Sequence, residues 1–268
     1  MENGITIEGD DAKNIYVLAG GERLTVNLPE SYSERGGESN IVPVNLGISL
    51  AYSDDDYVIM DKPKDMPVHP SRAHIRDTLA NDFIFKFPDI VFRPLSRLDS
   101  DTAGLVPVAK NKASASLSPA VIRKIYYGVT ACFVGITSFT VNAPIERRES
   151  LSHERAVRFD GRPSITRIRK VREKNGKTLL RFELLTGRTH QIRVHCAHMG
   201  FPLLGDILYG GRELMSDERE ILGGAGQALV SAFVGFKNPI TGKKIAARSV
   251  FLKKLWQLLE APENGCAN

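Results

Sequence analysis

Thr166-Arg167-Ile168-Arg169-Lys170-Val171 and Thr178-Leu179-Leu180-Arg181-Phe182-Glu183-Leu184 lie on either side of Asn175-Gly176. Both runs mix apolar with polar residues at short period, as suits a strand with one face on a core and one in water. Asn-Gly between two such runs supplies the positive-φ pair of a tight turn, the strongest short hairpin signal. Ile165–Leu185 is therefore predicted to be a β-hairpin.

Working outward, Thr189–Met199 reads as a helix, with Gly200 as its C-terminal cap and Pro202 beyond. Upstream, Tyr126–Val134 and Gly104–Ala109 read as strands, the second following the polar turn Asp99-Ser100-Asp101. Tyr57-Val58-Ile59-Met60 is an earlier strand, and Pro63 stops its pairing and starts a loop. A helix is expected over Asp77–Phe85 with Asp77 as its N-cap. A last helix over Val250–Leu259 places Val250, Leu252, Leu255, Trp256 and Leu259 mostly on one face. Strands and helices in mixed order with a hairpin give an α+β fold with a mixed, largely antiparallel central sheet and flanking helices and loops.

Residues 1–29 alternate weakly (Ile5 and Ile7, Ile15 to Leu18, Leu24 to Val26) around the turn Gly20-Gly21, and read as short strands. Glu30 to Asn40 is polar and glycine-rich, a linker. Two units follow: 1–41, a small β-rich segment with linker, and 42–268, the main domain.

With 42% hydrophobic and 25% charged residues, a disordered chain is excluded. No apolar run approaches the roughly 20 residues that span a bilayer. The first residues lack the basic and apolar regions of a signal peptide, so a cytoplasmic location is expected. Cys132, Cys196 and Cys266 are scattered and odd in number, which argues for reduced thiols and against a disulfide framework or structural zinc. Net charge is +5, but residues 1–45 hold eight acids against three bases, so the remainder carries +10. A basic body is suited to a polyanion.

Three segments bear chemistry: Arg97-Leu98-Asp99-Ser100-Asp101-Thr102-Ala103-Gly104, then Lys124-Ile125-Tyr126, then Gly187-Arg188-Thr189-His190-Gln191-Ile192-Arg193-Val194-His195. A fourth run is Pro202-Leu203-Leu204-Gly205-Asp206-Ile207-Leu208-Tyr209-Gly210. Asp61-Lys62-Pro63, Val68-His69-Pro70-Ser71 and Gly161-Arg162-Pro163-Ser164-Ile165-Thr166 support them. In this order they resemble the signatures of the RluA-type RNA pseudouridine synthase family, over roughly residues 48–240.

The resemblance implies the pseudouridine synthase fold around one RNA-binding cleft, and isomerisation of uridine in structured RNA, ribosomal or transfer. That reaction breaks an N-glycosidic bond, turns the uracil and rejoins it through carbon. A carboxylate can attack the ribose or stabilise its cationic character. By resemblance Asp99 has this role, Arg193 is its partner, and Tyr126 lies against the base and can share in proton removal. Leu204 is the apolar residue near the site. Arg97 fills the gap left by a flipped-out uridine. Arg188, His190 and Gln191 fall on the substrate side. The scheme requires no metal and no organic cofactor, and nothing in the sequence demands a protein partner or more than a monomer.

Taken singly these residues have plainer readings. Asp99-Ser100-Asp101-Thr102 is an acidic turn before a strand, and as a calcium loop it lacks the spacing. His190, His195 and His198 are poorly spaced for a metal. Arg188 and Arg193 alone would be surface arginines, and Tyr126 a half-buried strand aromatic.

Two departures from the family pattern stand out. Ser96 occupies the position where His usually precedes Arg-Leu-Asp, and Ala103 stands where Ser is common. Residues 3–29 resemble the trailing strands of an alpha-L type RNA-binding domain without its helices, expected to be structural. The competing expectations are an inactive RNA-binding factor in ribosome assembly, against which the retained Asp99, Tyr126 and Arg193 argue, and a nucleoside hydrolase, which lacks a second carboxylate.

Overall fold

Asn175 and Gly176 take φ angles of 50° and 65° and reverse the chain between two long strands, the paired positive-φ geometry that matches strand twist. The structure is a computed structural model. It describes residues 41–149 and 153–262, and the backbone of three short strands nearer the N-terminus. These are β1 (Gly4–Ile7), β2 (Asp10–Asp11) and β3 (Leu24–Asn27), an antiparallel sheet in the order β2-β1-β3. The expected Ile15–Leu18 strand, the Gly20-Gly21 turn, the 30–40 linker and Cys266 lie outside the described residues.

The body runs β4 (Ser49–Ser53), β5 (Tyr57–Lys62), α1 (Leu79–Lys86), β6 (Arg93–Pro94), β7 (Ala103–Ala109), α2 (Lys112–Ala115), β8 (Arg123–Thr130) and β9 (Ser138–Asn142). It continues through β10 (Ile145–Arg147), β11 (Arg155–Val157), β12 (Ile165–Lys174), β13 (Lys177–Leu184), α3 (Gln191–His198), α4 (Ser216–Leu222), β14 (Leu229–Lys237), β15 (Lys244–Arg248) and α5 (Leu252–Glu260). A ten-stranded sheet has the order β4-β5-β7-β14-β8-β13-β12-β9, with β6 on β7 and β15 on β14. Only the β7–β14 pairing is parallel among the described strands. The α+β, largely antiparallel expectation is met.

The hairpin strand β13 is buried on both sides. Leu180 and Phe182 pack with Ile192 and Cys196 of α3, while Leu179 packs with Leu255, Leu258 and Leu259 of α5. Each such fully buried side chain contributes about 1.5–3 kcal/mol, so α3, which carries Arg193, is fixed to the sheet by its apolar face.

Several boundaries differ from expectation. The first helix is capped by Thr78, whose N–H donates to Asn81 Oδ1 at 3.0 Å, whereas Asp77 meets His74 at 2.6 Å. The strand expected at Tyr126–Val134 begins at Arg123 and ends at Thr130, where the Thr130 hydroxyl donates to the Cys132 carbonyl and the chain leaves the sheet. The helix expected from Thr189 begins at Gln191, because His190 has φ 56°, a left-handed conformation that cannot belong to a right-handed helix. Val250 precedes α5 and is 58% exposed, so the buried face is Leu255, Leu258 and Leu259 instead.

The site lies where the sheet divides. β7 pairs with β14 at Val230 and Ser231, and β15 takes over that edge from Phe233 onward. Gly104 sits at the junction with φ 115°, and a Cβ there would collide with the Ser231 carbonyl. The glycine of the Asp99–Gly104 segment is thus required by close backbone approach.

Candidate active site

Asp99 occupies the loop entering β7, and its carbonyl accepts from Thr102 N–H at 3.1 Å, closing the turn through Ser100 and Asp101. That turn is held from below by Lys62, at the end of β5. The Lys62 Nζ donates to the carbonyls of Pro63, Met66 and Ser100 at 2.8, 2.7 and 2.8 Å, using all three ammonium donors. Lys62 is wholly buried, and burial pulls its pKa down to about 7, opposed by Asp101, Asp99 and Asp65. Gln227 adds a second tie by donating to Thr102 Oγ1 at 2.8 Å.

Arg193 of α3 faces Asp99. Its Nε and one terminal nitrogen donate to the two oxygens of Asp206, both at 2.8 Å, and its other terminal nitrogen donates to Asp99 Oδ2 at 3.2 Å. Burial opposes the charge, but the Asp206 hydrogen bonds and the Asp206 and Asp99 carboxylates outweigh it and raise the guanidinium above its ordinary value. The Tyr209 ring centroid lies 5.0 Å from the Arg193 guanidinium carbon.

His190 approaches Asp99 from the same side, with Nε2 at 3.8 Å from Oδ2. The Tyr209 hydroxyl oxygen accepts from Arg155 N–H at 2.9 Å and meets His190 Nδ1 at 2.8 Å. Burial lowers the His190 pKa, against the pull of Asp99.

Tyr126 of β8 is 6% exposed and borders the cavity beside Asp99. Burial pushes its phenol up to about 12, opposed by a Ser231 hydrogen bond and helped by Asp99. Asp99 and Tyr126 open into a cleft of about 1210 Å³ whose walls also carry Ser96, Arg97, Lys124, Arg188 and His190. Arg188 reaches across to donate to the Pro163 carbonyl at 3.3 Å.

Two residues expected at the substrate are elsewhere. Leu204 is fully buried among Val129, Ala228 and Leu258, and no surface of it faces the cleft; Leu229 of β14 lines the cavity beside Asp99 instead. Gln191 has no bonding capacity to spare. Its carbonyl accepts from Thr186 Oγ1 and Arg188 N–H, and its amide donates to the Ile165 carbonyl and Thr166 Oγ1. All four positions are used, so Gln191 shapes the 186–190 loop. His195 is likewise structural, bonded to Thr166 Oγ1 at 2.8 Å and to the Ala143 carbonyl at 3.0 Å. Among the described residues no group of three or more His, Cys, Asp or Glu is placed to hold a metal.

Asp206, Tyr209 and Lys62 had no role assigned from sequence. The first two were within the Pro202–Gly210 run and three apart. The short helical turn Ile207–Tyr209 brings them to one side of Arg193, a spacing that carried the signal.

The sequence model described as RNA pseudouridylate synthase matches residues 56–198. The chain is 32% identical over 96% of its length, and 84% of the relative's, to a Bacillus subtilis protein named uncharacterized RNA pseudouridine synthase YlyB. It is 36% identical to the Haemophilus influenzae ribosomal large subunit pseudouridine synthase D, over 84% of this chain and 72% of that one. Among solved structures, human RNA pseudouridylate synthase domain containing 4 superposes with a TM-score of 0.60 at 18% identity, covering 80% of this chain and 94% of that one. That last likeness is one of fold.

Proposed function

This chain belongs to the RNA pseudouridylate synthase family and is an RNA pseudouridine synthase, an isomerase; from that premise we propose that Asp99 is its catalytic carboxylate and that its target is uridine in large-subunit ribosomal RNA. The observation that carries the assignment is the 3.2 Å contact between Asp99 and an Arg193 already clamped by Asp206. A carboxylate so oriented, and open to the cleft, is placed to attack the ribose or stabilise its positive character while the N1–C1′ bond breaks. The uracil then turns, C5 bonds to C1′, and the C5 proton leaves as N1 regains one. Tyr126 presents its ring to the base, and Arg97 and Arg188 meet the displaced strand. The ribosomal target is supported by the name of the Haemophilus relative.

The same reading makes residues 42–268 the catalytic domain and places the enzyme, as a monomer, in the cytoplasm. Among the described residues no helix is long and apolar enough to cross a membrane. Removing residues 1–40 is expected to leave RNA affinity unchanged, and a large loss would reject that division.

The deciding experiment is pseudouridine mapping of total RNA from cells lacking the gene, complemented with wild type or Asp99→Ala. Sites in large-subunit ribosomal RNA are expected to vanish on deletion and return only with wild type. Restoration by Asp99→Ala would reject the catalytic assignment, and sites confined to other RNA would reject the target.

A further inference from the structure

A second concavity, about 210 Å³, is lined by Arg147, Arg155, Arg162, Arg188 and Thr189 with one carboxylate, Glu146. Four of its lining residues are therefore arginines. Arg147 and Arg155 are direct partners in the β10–β11 ladder, where like charges opposite one another are destabilising. Arg162 is brought in by a reciprocal backbone pair with Ile145, both bonds at 3.0 Å, and its side chain has no ion pair among the described residues. Arg155 is largely buried; among the described residues its nearest carboxylate oxygen is Glu146 Oε1 at 3.7 Å, and its Nε has no hydrogen-bond partner. A buried charged donor without an acceptor is expensive, and forked guanidinium donors fit a phosphate or carboxylate.

The pocket adjoins the cleft: Arg188 and Thr189 line both, and Thr189 precedes His190, 3.8 Å from Asp99. We infer that this arginine pocket is a phosphate subsite that grips a backbone phosphodiester of the substrate RNA as the strand leaves the catalytic cleft. Resting on the reading of this chain as an RNA-modifying enzyme, it gives the strand its register, while the cleft reads the base.

The test titrates in-vitro-transcribed large-subunit ribosomal RNA onto the full chain, with wild type, Arg162→Gln and Arg162→Lys, at several salt concentrations. Arg162 is exposed and its backbone pairing does not involve the side chain, so the variants are expected to melt with wild type. Arg162→Gln is expected to weaken Kd about ten-fold and flatten the log Kd–log salt slope by about one, with KM rising in step. Arg162→Lys is expected to keep the slope but not the full affinity. Unchanged Kd and slope in Arg162→Gln would overturn the subsite, whether or not wild type modifies this RNA. Conversely, a wild type that converts no uridine here, while Arg162→Gln still loses affinity, would leave the subsite standing and reject the proposed target. A pocket serving free phosphate would bind inorganic phosphate in wild type, lose it in Arg162→Gln and leave RNA affinity untouched, which also overturns the inference.

Discussion

Asp206 holds Arg193 by two 2.8 Å hydrogen bonds and leaves one terminal nitrogen for Asp99 at 3.2 Å. The two carboxylates are not equivalent. The Asp206 side chain is completely buried, whereas that of Asp99 is 28% exposed. When Asp99 engages a substrate, Arg193 therefore keeps its charge partner, and the cost of a lone buried cation does not arise.

That asymmetry separates the two acids by mutation. Asp206→Asn is expected to retain the fold with lower stability and to cut single-turnover rate about 100-fold by misaiming Arg193, with RNA affinity little changed. Asp206→Ala leaves the buried Arg193 with only the partly exposed Asp99 as charge partner and is expected to cost about 3 kcal/mol, read by chemical denaturation. A wild-type turnover rate in Asp206→Asn would mean that Arg193 is oriented by something else.

Tyr126 yields a pH prediction. Burial holds its phenol up to about 12 against an ordinary 10, so between those values the unfolded chain loses the proton and the native state keeps it. Tyr126 thus contributes no pH dependence of stability below pH 10, and destabilises the fold as pH rises from 10 to 12. For the same reason no break in the pH–rate profile between 6 and 9 arises from its ionisation. Tyr126→Phe is expected to leave the positions of any breaks there unmoved, and a break that disappears in this variant would show a phenolate acting near neutrality.

Gln191 is a test of loop order. Gln191→Ala removes four hydrogen bonds that tie the loop at Thr186 and Arg188 to β12 at Ile165 and Thr166. It is expected to lower the melting temperature and weaken RNA binding several-fold, through Arg188 and not through lost contact with RNA, since each buried bond is worth about 1 kcal/mol. Gln191→Glu keeps the acceptors and is expected to retain more RNA affinity than alanine; equal losses would argue against the shaping role.

What was legible in the sequence follows the range of the signals. The β12–β13 hairpin, the cap at Gly200 and the strands flanking Asp99 rest on local turn chemistry and alternation, and they are present with small shifts. The meeting of Asp99 and Arg193, 94 positions apart, entered through the family resemblance alone, because no local pattern encodes tertiary distance. Leu204 and Gln191 were misplaced for one reason: a sequence motif marks a neighbourhood, and whether a side chain faces cleft or core depends on β8, β12 and β14 packing around it. The arginine pocket was invisible because its members come from β10, β11 and two loops, and each alone reads as a surface cation.

Lys62, within Asp61-Lys62-Pro63, joins the 63–66 loop to the Asp99 turn through three carbonyls. Lys62→Met would fill the space but leave those acceptors without a donor, at about 1–3 kcal/mol for each that water cannot reach. The sign of its pH dependence follows from a pKa lowered by burial from 10.5 to about 7. Below pH 7 both native and unfolded lysines are protonated and the burial cost is fully present. Between about 7 and 10.5 the unfolded chain binds the extra proton, so this group makes the fold more stable as pH rises. The margin by which wild type melts above Lys62→Met is therefore expected to widen from pH 7 toward 10, while turnover of the variant falls because Asp99 is no longer held in register. A margin that stays flat over that range would mean that the native ammonium keeps its proton, and that the three carbonyls outweigh desolvation.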